Sequence, residues 1–265
     1  MKQIIDIKRF GPWAVVTGAS SGIGEGFARQ LAANGLNLVL VARRLPLLEK
    51  IGESLSKEFG IRYQTIEADL AQESGIEKIA KATENLDVGL LISNAGTGKV
   101  SKYLSLELAE IKLVNQLNAI SHLSLTHHFG RRFLERGKGG VLLSGAMGAT
   151  DGVPYMSSMA GSKALLLSFG KSLHYEFKNT GINITVLEIS PTDTAIIPKL
   201  GFAKDKMPMK PLTVKQCVDE ALLALIDNRV SIMPGRMYRI MNALLPGSFK
   251  RNMAGNQFKK NNNIA

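Results

Sequence analysis

The stretch Thr17-Gly18-Ala19-Ser20-Ser21-Gly22-Ile23-Gly24 decides the fold. It follows the apolar run Trp13 to Thr17 and leads into a segment of helical spacing, so strand, tight turn and helix succeed one another. Glycine is needed where a backbone turns sharply or approaches another group closely. The N-terminus of the following helix offers free N–H groups and a positive dipole end to an anion such as a pyrophosphate. In this context the glycine-rich turn points to a dinucleotide site.

Working outward, apolar runs alternate with helical patterns along almost the whole chain. Leu38 to Ala42, Tyr63 to Ile66, Gly89 to Ile92, Val141 to Leu143, Ile184 to Ile189 and Val230 to Met233 read as further strands. Such short, almost wholly apolar strands suit a parallel sheet covered on both faces. Leu45 to Phe59, Leu106 to Glu135 and Ser162 to Asn179 read as helices, and Thr213 as the cap of one beginning at Val214. Repeated βα units predict a single-domain α/β fold, a Rossmann-type doubly wound parallel sheet. The domain is expected over residues 1–246, with 247–265 a basic, polar C-terminal tail, loose from Asn252 onward. The apolar stretch Tyr238 to Leu245 is expected to pack over the substrate cleft, a membrane-surface helix being the alternative.

Of the 265 residues 45% are hydrophobic, enough for a substantial core and against disorder. The single cysteine, Cys217, cannot form an internal disulfide. The N-terminal segment is charged and lacks the apolar centre of a signal peptide, and no run approaches a membrane span, so a soluble cytoplasmic protein is expected. The net charge of +11 is spread along the chain without interleaved aromatics, which argues for a solvated surface rather than a nucleic-acid site. His122, His127, His128 and His174 show no metal-ligand spacing, so no metal is expected.

The string TGASSGIG, with Asp69-Leu70 and Ser93-Asn94-Ala95-Gly96, resembles the short-chain dehydrogenase/reductase family from about Trp13 to Pro246. The resemblance implies that Gly18, Ser20, Ser21, Gly22, Ile23 and Gly24 hold a nicotinamide dinucleotide. Asp69 and Leu70 would stand by the adenine, Asn94, Ala95 and Gly96 beside the sheet, and Thr192 and Thr194 against the nicotinamide. Strand two ends in Arg43-Arg44, where an acid would bind the ribose 2′-hydroxyl of NAD. Two arginines instead favour the 2′-phosphate, hence NADP(H) over NAD(H).

The family reduces carbonyls with a tyrosine as proton donor, a lysine four residues later, a serine upstream and an asparagine on the central helix. By that resemblance the lysine is Lys163, which also holds the ribose, and the asparagine is Asn118. Met159 stands at the tyrosine position and Ala146 at the serine position, and Ile189-Ser190 replaces the usual Pro-Gly. Methionine donates no useful proton and alanine no hydrogen bond. Tyr155 is the candidate substitute, with Ser144, Ser157, Ser158 and Asp193 as the other candidates.

Three functions remain open: an NADP-dependent oxidoreductase on a ketone or alcohol with an altered proton relay, a non-redox enzyme performing dehydration, cyclisation or retro-aldol cleavage, and a catalytically silent binding protein. Met147, Met156, Ile196, Ile197 and Phe202 suggest an apolar cleft and hence an apolar small-molecule substrate, core packing being an equal reading of the same residues. The resemblance further implies a homodimer or homotetramer formed through the two long helices.

Overall fold

The computed structural model describes residues 5–203, 207 and 209–264. Seven parallel strands form one sheet: β1 (Trp13–Thr17), β2 (Asn37–Ala42), β3 (Tyr63–Glu67), β4 (Val88–Ser93), β5 (Gly139–Ser144), β6 (Ile182–Leu187) and β7 (Ser231–Ile232). Their order is β3-β2-β1-β4-β5-β6-β7, so the direction of winding reverses between β1 and β4. Ligands of open α/β sheets bind beyond the strand C-termini at this crevice.

The helices in chain order are α1 (Ile7–Phe10), α2 (Gly22–Ala33), α3 (Leu45–Phe59), α4 (Glu73–Ala82), α5 (Leu108–Asn115), α6 (Ser121–Arg136), α7 (Ser157–Glu176), α8 (Ile196–Lys199), α9 (Val214–Ile226), α10 (Arg236–Leu244) and α11 (Gly247–Asn261). Period-two alternation divides the core between the sheet's two faces. Ala14, Val16, Leu38, Leu40 and Ile92 pack with Phe27, Leu31, Leu48 and Val218 of α2, α3 and α9. Val15, Val39, Val41, Leu91 and Val141 pack with Ile79, Phe129, Phe133 and Leu167 of α4, α6 and α7.

Four expectations need correction, the first being the helix read over Ser162 to Asn179, which runs instead from Ser157 to Glu176. The long helix over 106–135 starts at Leu108, where Glu107 and Glu110 form a capping box, and is interrupted by a π turn at Gln116–Ile120. The last two strands shift or shorten, to Ile182–Leu187 and Ser231–Ile232. The supposedly loose tail is helix α11. Phe258 is buried and meets Phe202 edge-on with centroids 5.1 Å apart, and Lys250 pairs with Asp151 at 2.7 Å. A buried aromatic, an ion pair and hydrogen bonds from Arg251 to the Asp151 carbonyl and from Asn262 to the Leu200 carbonyl anchor a segment whose polarity suggested otherwise. The cap at Thr213 is present, its side chain accepting from the Gln216 N–H. No helix among the described residues is long and apolar enough to cross a membrane.

Candidate functional site

The glycine-rich turn sits at the C-terminal end of β1, beside the winding reversal. Gly18 and Gly22 have φ of +67° and +59°, a region costly for side-chain-bearing residues. A Cβ on Gly24 would lie 2.1 Å from the Gly18 carbonyl oxygen and 2.9 Å from Asn94 Nδ2. The turn is therefore closed against the segment following β4. Asn94 Nδ2 donates to the Thr17 carbonyl and Asn94 Oδ1 accepts from Ser144 Oγ, tying β1, β4 and β5 together. Ala95 touches the turn too, since a Cβ on Gly18 would come 3.0 Å from its Cα.

Across the crevice, Thr194 Cγ2 stands 3.3 Å from where a Cβ on Gly22 would be. Thr192 turns inward: it is buried and donates to the Ser190 carbonyl, and Ser190 donates to that of Pro234. Thus of the two threonines, Thr194 faces the turn. Ser21 precedes α2 without capping it through its side chain. Instead the Arg44 guanidinium reaches over the turn, donating to Ser20 Oγ at 2.9 Å and Ser21 Oγ at 3.1 Å. Arg43 is exposed beside it. Asp69 accepts from the Ala71 N–H, Leu70 is buried, and Ile23 packs on the core beneath the turn.

At the other end of the crevice the π turn buries Asn118 completely. Its Oδ1 accepts from the Thr97 N–H at 2.8 Å, and its Nδ2 donates to the Thr97 carbonyl at 2.7 Å. A Cβ on Gly96 would fall 3.2 Å from Asn118 Oδ1 and 3.4 Å from Lys163 Nζ, so Asn118 and Lys163 converge on that glycine. Lys163 is 7% exposed and donates to the Ser144 carbonyl at 2.5 Å. Burial lowers its pKa from 10.5 to about 7.

Behind it His122 is fully buried, between Ser93 Oγ and the Ala95 carbonyl, each at 2.8 Å. A carbonyl only accepts, so Nε2 carries the hydrogen and Nδ1 accepts from Ser93. Burial, and then the Lys163 charge, push the His122 pKa down to about 3.

A cleft of about 220 Å³ opens beside Gly98. Tyr155, Met156, Ser157, Ser158 and Met159 form one wall; Tyr103, Leu106, Ile111 and Val114 are among the residues opposite. Met159 lies four residues before Lys163 on α7, and its sulfur is 2.9 Å from a would-be Cβ on Gly98. Tyr155 is held at φ +64°. Ser158 Oγ is buried with no hydrogen-bond partner among the described residues.

Of the five apolar residues expected to line the cleft, only Met156 does so. Ile197 is in the core, Ile196 is exposed, Phe202 meets Phe258 edge-on and Met147 lies outside the lining. No residue of Tyr238 to Leu245 lines it either; Tyr238 instead donates to the Lys210 carbonyl. Sequence reasoning missed Tyr103, and also Lys99 and Glu110, an ion pair at 2.6 Å on the cleft lining. The capping spacing around Glu107 was the available signal for Glu110. Among the described residues no group of His, Cys, Asp and Glu could hold a metal.

Comparison with known proteins places this geometry in a family. The sequence model described as short chain dehydrogenase matches residues 12–203. The 7beta-hydroxysteroid dehydrogenase of Collinsella aerofaciens is 27% identical over 232 residues, 86% of this chain and 88% of that protein. The very-long-chain 3-oxoacyl-CoA reductase of Podospora anserina is 35% identical over 179 residues, 66% of this chain and 53% of that one. A solved short-chain dehydrogenase from Sphingobium yanoikuyae, in complex with NADPH, superposes with a TM-score of 0.81 at 26% identity, covering 92% of this chain and 96% of that one.

Proposed function

The chain belongs to the short chain dehydrogenase family, and from that premise we propose an NADP(H)-dependent oxidoreductase that interconverts a bulky apolar ketone and its alcohol. In this reading residues 1–246 are the cofactor-binding domain and 247–265 its basic extension, in a cytoplasmic homodimer or homotetramer. The observation that carries it is the line of groups along the crevice: Arg44 over Ser20 and Ser21, the glycine turn facing Thr194, then Gly96 with Asn118 and Lys163. A cradle that a Cβ would fill, with a guanidinium at one end and a buried ammonium at the other, fits a phosphorylated dinucleotide. The NADPH complex of the Sphingobium protein and the substrates named for the Collinsella and Podospora enzymes support the same reading.

NADPH supplies a hydride equivalent. Arg43 and Arg44 hold the 2′-phosphate, Gly18, Ser20, Ser21, Gly22, Ile23 and Gly24 the pyrophosphate, and Asp69 and Leu70 the adenine side. Asn94, Ala95 and Gly96 shape the floor and Thr194 the far wall, while Thr192, turned inward, braces the loop behind it. The tyrosine and serine positions of the family are occupied by Met159 and Ala146, so the proton comes from elsewhere. Lys163 gives it to the nascent alkoxide in reduction and takes it back in oxidation. A pKa near 7 suits both directions. Tyr155, on the cleft wall, is the competing donor. Asn118 positions the Gly96-Thr97 backbone against which Lys163 rests.

The test is NADPH oxidation with a panel of bulky ketones across pH. We expect turnover that falls as pH rises through about 7 and vanishes in Lys163→Met, while Tyr155→Phe keeps it. Loss in Tyr155→Phe with a flat response near pH 7 would make Tyr155 the donor.

One observation favours a second reading. Met159, which by the family resemblance stands at the tyrosine position, closes on Gly98. On that reading the cleft is silent toward redox chemistry, or performs a non-redox dehydration, cyclisation or retro-aldol step. If Ala146→Ser with Met159→Tyr creates ketone reduction in a protein with none, the silent reading is correct.

A further inference from the structure

After Asp227 the chain contains seven lysines and arginines and no aspartate or glutamate. Within this segment α10 presents Met237, Ile240 and Leu244 outward, 58%, 38% and 75% exposed. Their i, i+3, i+7 spacing puts them on one stripe of the helix. The opposite side is anchored inward through Tyr238, buried and bonded to the Lys210 carbonyl. Just past the Pro246 corner, Phe249 and Met253 are 54% and 40% exposed on α11, four residues apart. The two helices are clamped by Lys250, which donates to Asn242 Oδ1 at 2.8 Å and pairs with Asp151. Arg236, Lys259 and Lys260 take part in no ion pair among the described residues.

We propose that the α10–α11 corner docks on an anionic lipid surface, its apolar stripe entering the headgroup boundary while the unpaired cations meet the lipid phosphates. An in-plane helix binds this way when an apolar stripe is flanked by basic residues. Charge complementarity selects this occupant over a second copy of the chain, because two such corners would bring cations against cations, the Asp151 carboxylate at the corner being already paired with Lys250. The cofactor crevice contributes none of these residues, so the proposal stands apart from the catalytic reading.

The experiment is cosedimentation of the full chain with phosphatidylcholine vesicles, with and without phosphatidylglycerol. We expect at least tenfold stronger binding to the anionic vesicles, reduced tenfold or more in Met237→Ser/Leu244→Ser and weakened in Lys259→Gln/Lys260→Gln. Both variants change exposed side chains only, and thermal unfolding like that of the unaltered protein verifies their fold. Failure to bind anionic vesicles, or binding unchanged by the serine pair, overturns the proposal. So does a dimer in light scattering that the serine pair converts to monomer, which would make a second copy the occupant.

Discussion

Reversing the charge at Arg44 separates the two nicotinamide cofactors by a predictable amount. Its guanidinium lies at hydrogen-bond distance from both turn hydroxyls, so a 2′-phosphate reaching that turn would meet it without rearrangement. A charge-assisted hydrogen bond contributes about 1.5–3 kcal/mol net, and an exposed arginine belongs at the lower end. Arg44→Gln should therefore weaken NADPH roughly tenfold. A glutamate adds repulsion of about 0.7 kcal/mol per unit charge at about 6 Å in a water-like dielectric, or about 1.4 for a dianionic phosphate. Arg44→Glu should then weaken NADPH on the order of 100-fold at low salt, and less at high salt, where screening shortens the reach of the charge. NADH lacks the phosphate and should change about twofold or less. Fluorescence titration with both cofactors measures this directly. Equal losses for NADPH and NADH, or none for NADPH, would refute the placement of the 2′-phosphate.

Other expectations follow from the same geometry. Gly24→Ala drives a Cβ into the Gly18 carbonyl, so it should abolish cofactor binding and lower stability by about 1–3 kcal/mol in chemical denaturation. Lys163 is less protonated folded than unfolded between pH 7 and 10.5, so stability of the cofactor-free protein should rise with pH there, by at most about 1.4 kcal/mol per unit. Lys163→Met should flatten that slope in urea titrations, and an unchanged slope would contradict the burial of the ammonium. His122, with its folded pKa near 3, makes the fold lose stability as pH falls from about 6.5 toward 3; His122→Gln should blunt the loss. Phe258→Ala should cost up to about 3 kcal/mol and expose 247–261 to proteolysis, whereas a loose tail would be cut equally in both proteins.

The sequence revealed the parts of this molecule governed by local rules. The strands near the crevice are uninterrupted apolar runs, so β1 fell within its expected bounds, and the glycine turn needed only its strand–turn–helix setting. Arg44 could be read at the tip of β2 because its place follows from one βα unit. What escaped depended on distant partners. Nothing local to Phe258 says that Phe202 waits for it, so α11 passed for a tail. The π turn that brings Asn118 to Thr97 leaves no mark in hydrophobic periodicity. The cleft wall is assembled from α5, the loop after β4 and the start of α7, which is why Leu106, Ile111 and Glu110 were overlooked and why the sequence could not separate cleft from packing for Ile196 and Phe202. The closeness of Met159 to Gly98 required the fold.

The most direct test of the central claim is a single-turnover reaction with NADPH deuterated at the transferable position and a bulky ketone, read by mass spectrometry of the alcohol. The account predicts deuterium on the carbinol carbon in the unaltered protein, with Met159 in place, and none in Lys163→Met. A protein that binds NADPH tightly yet returns the ketone unreduced at every pH would contradict it, leaving a nicotinamide-binding scaffold without hydride transfer.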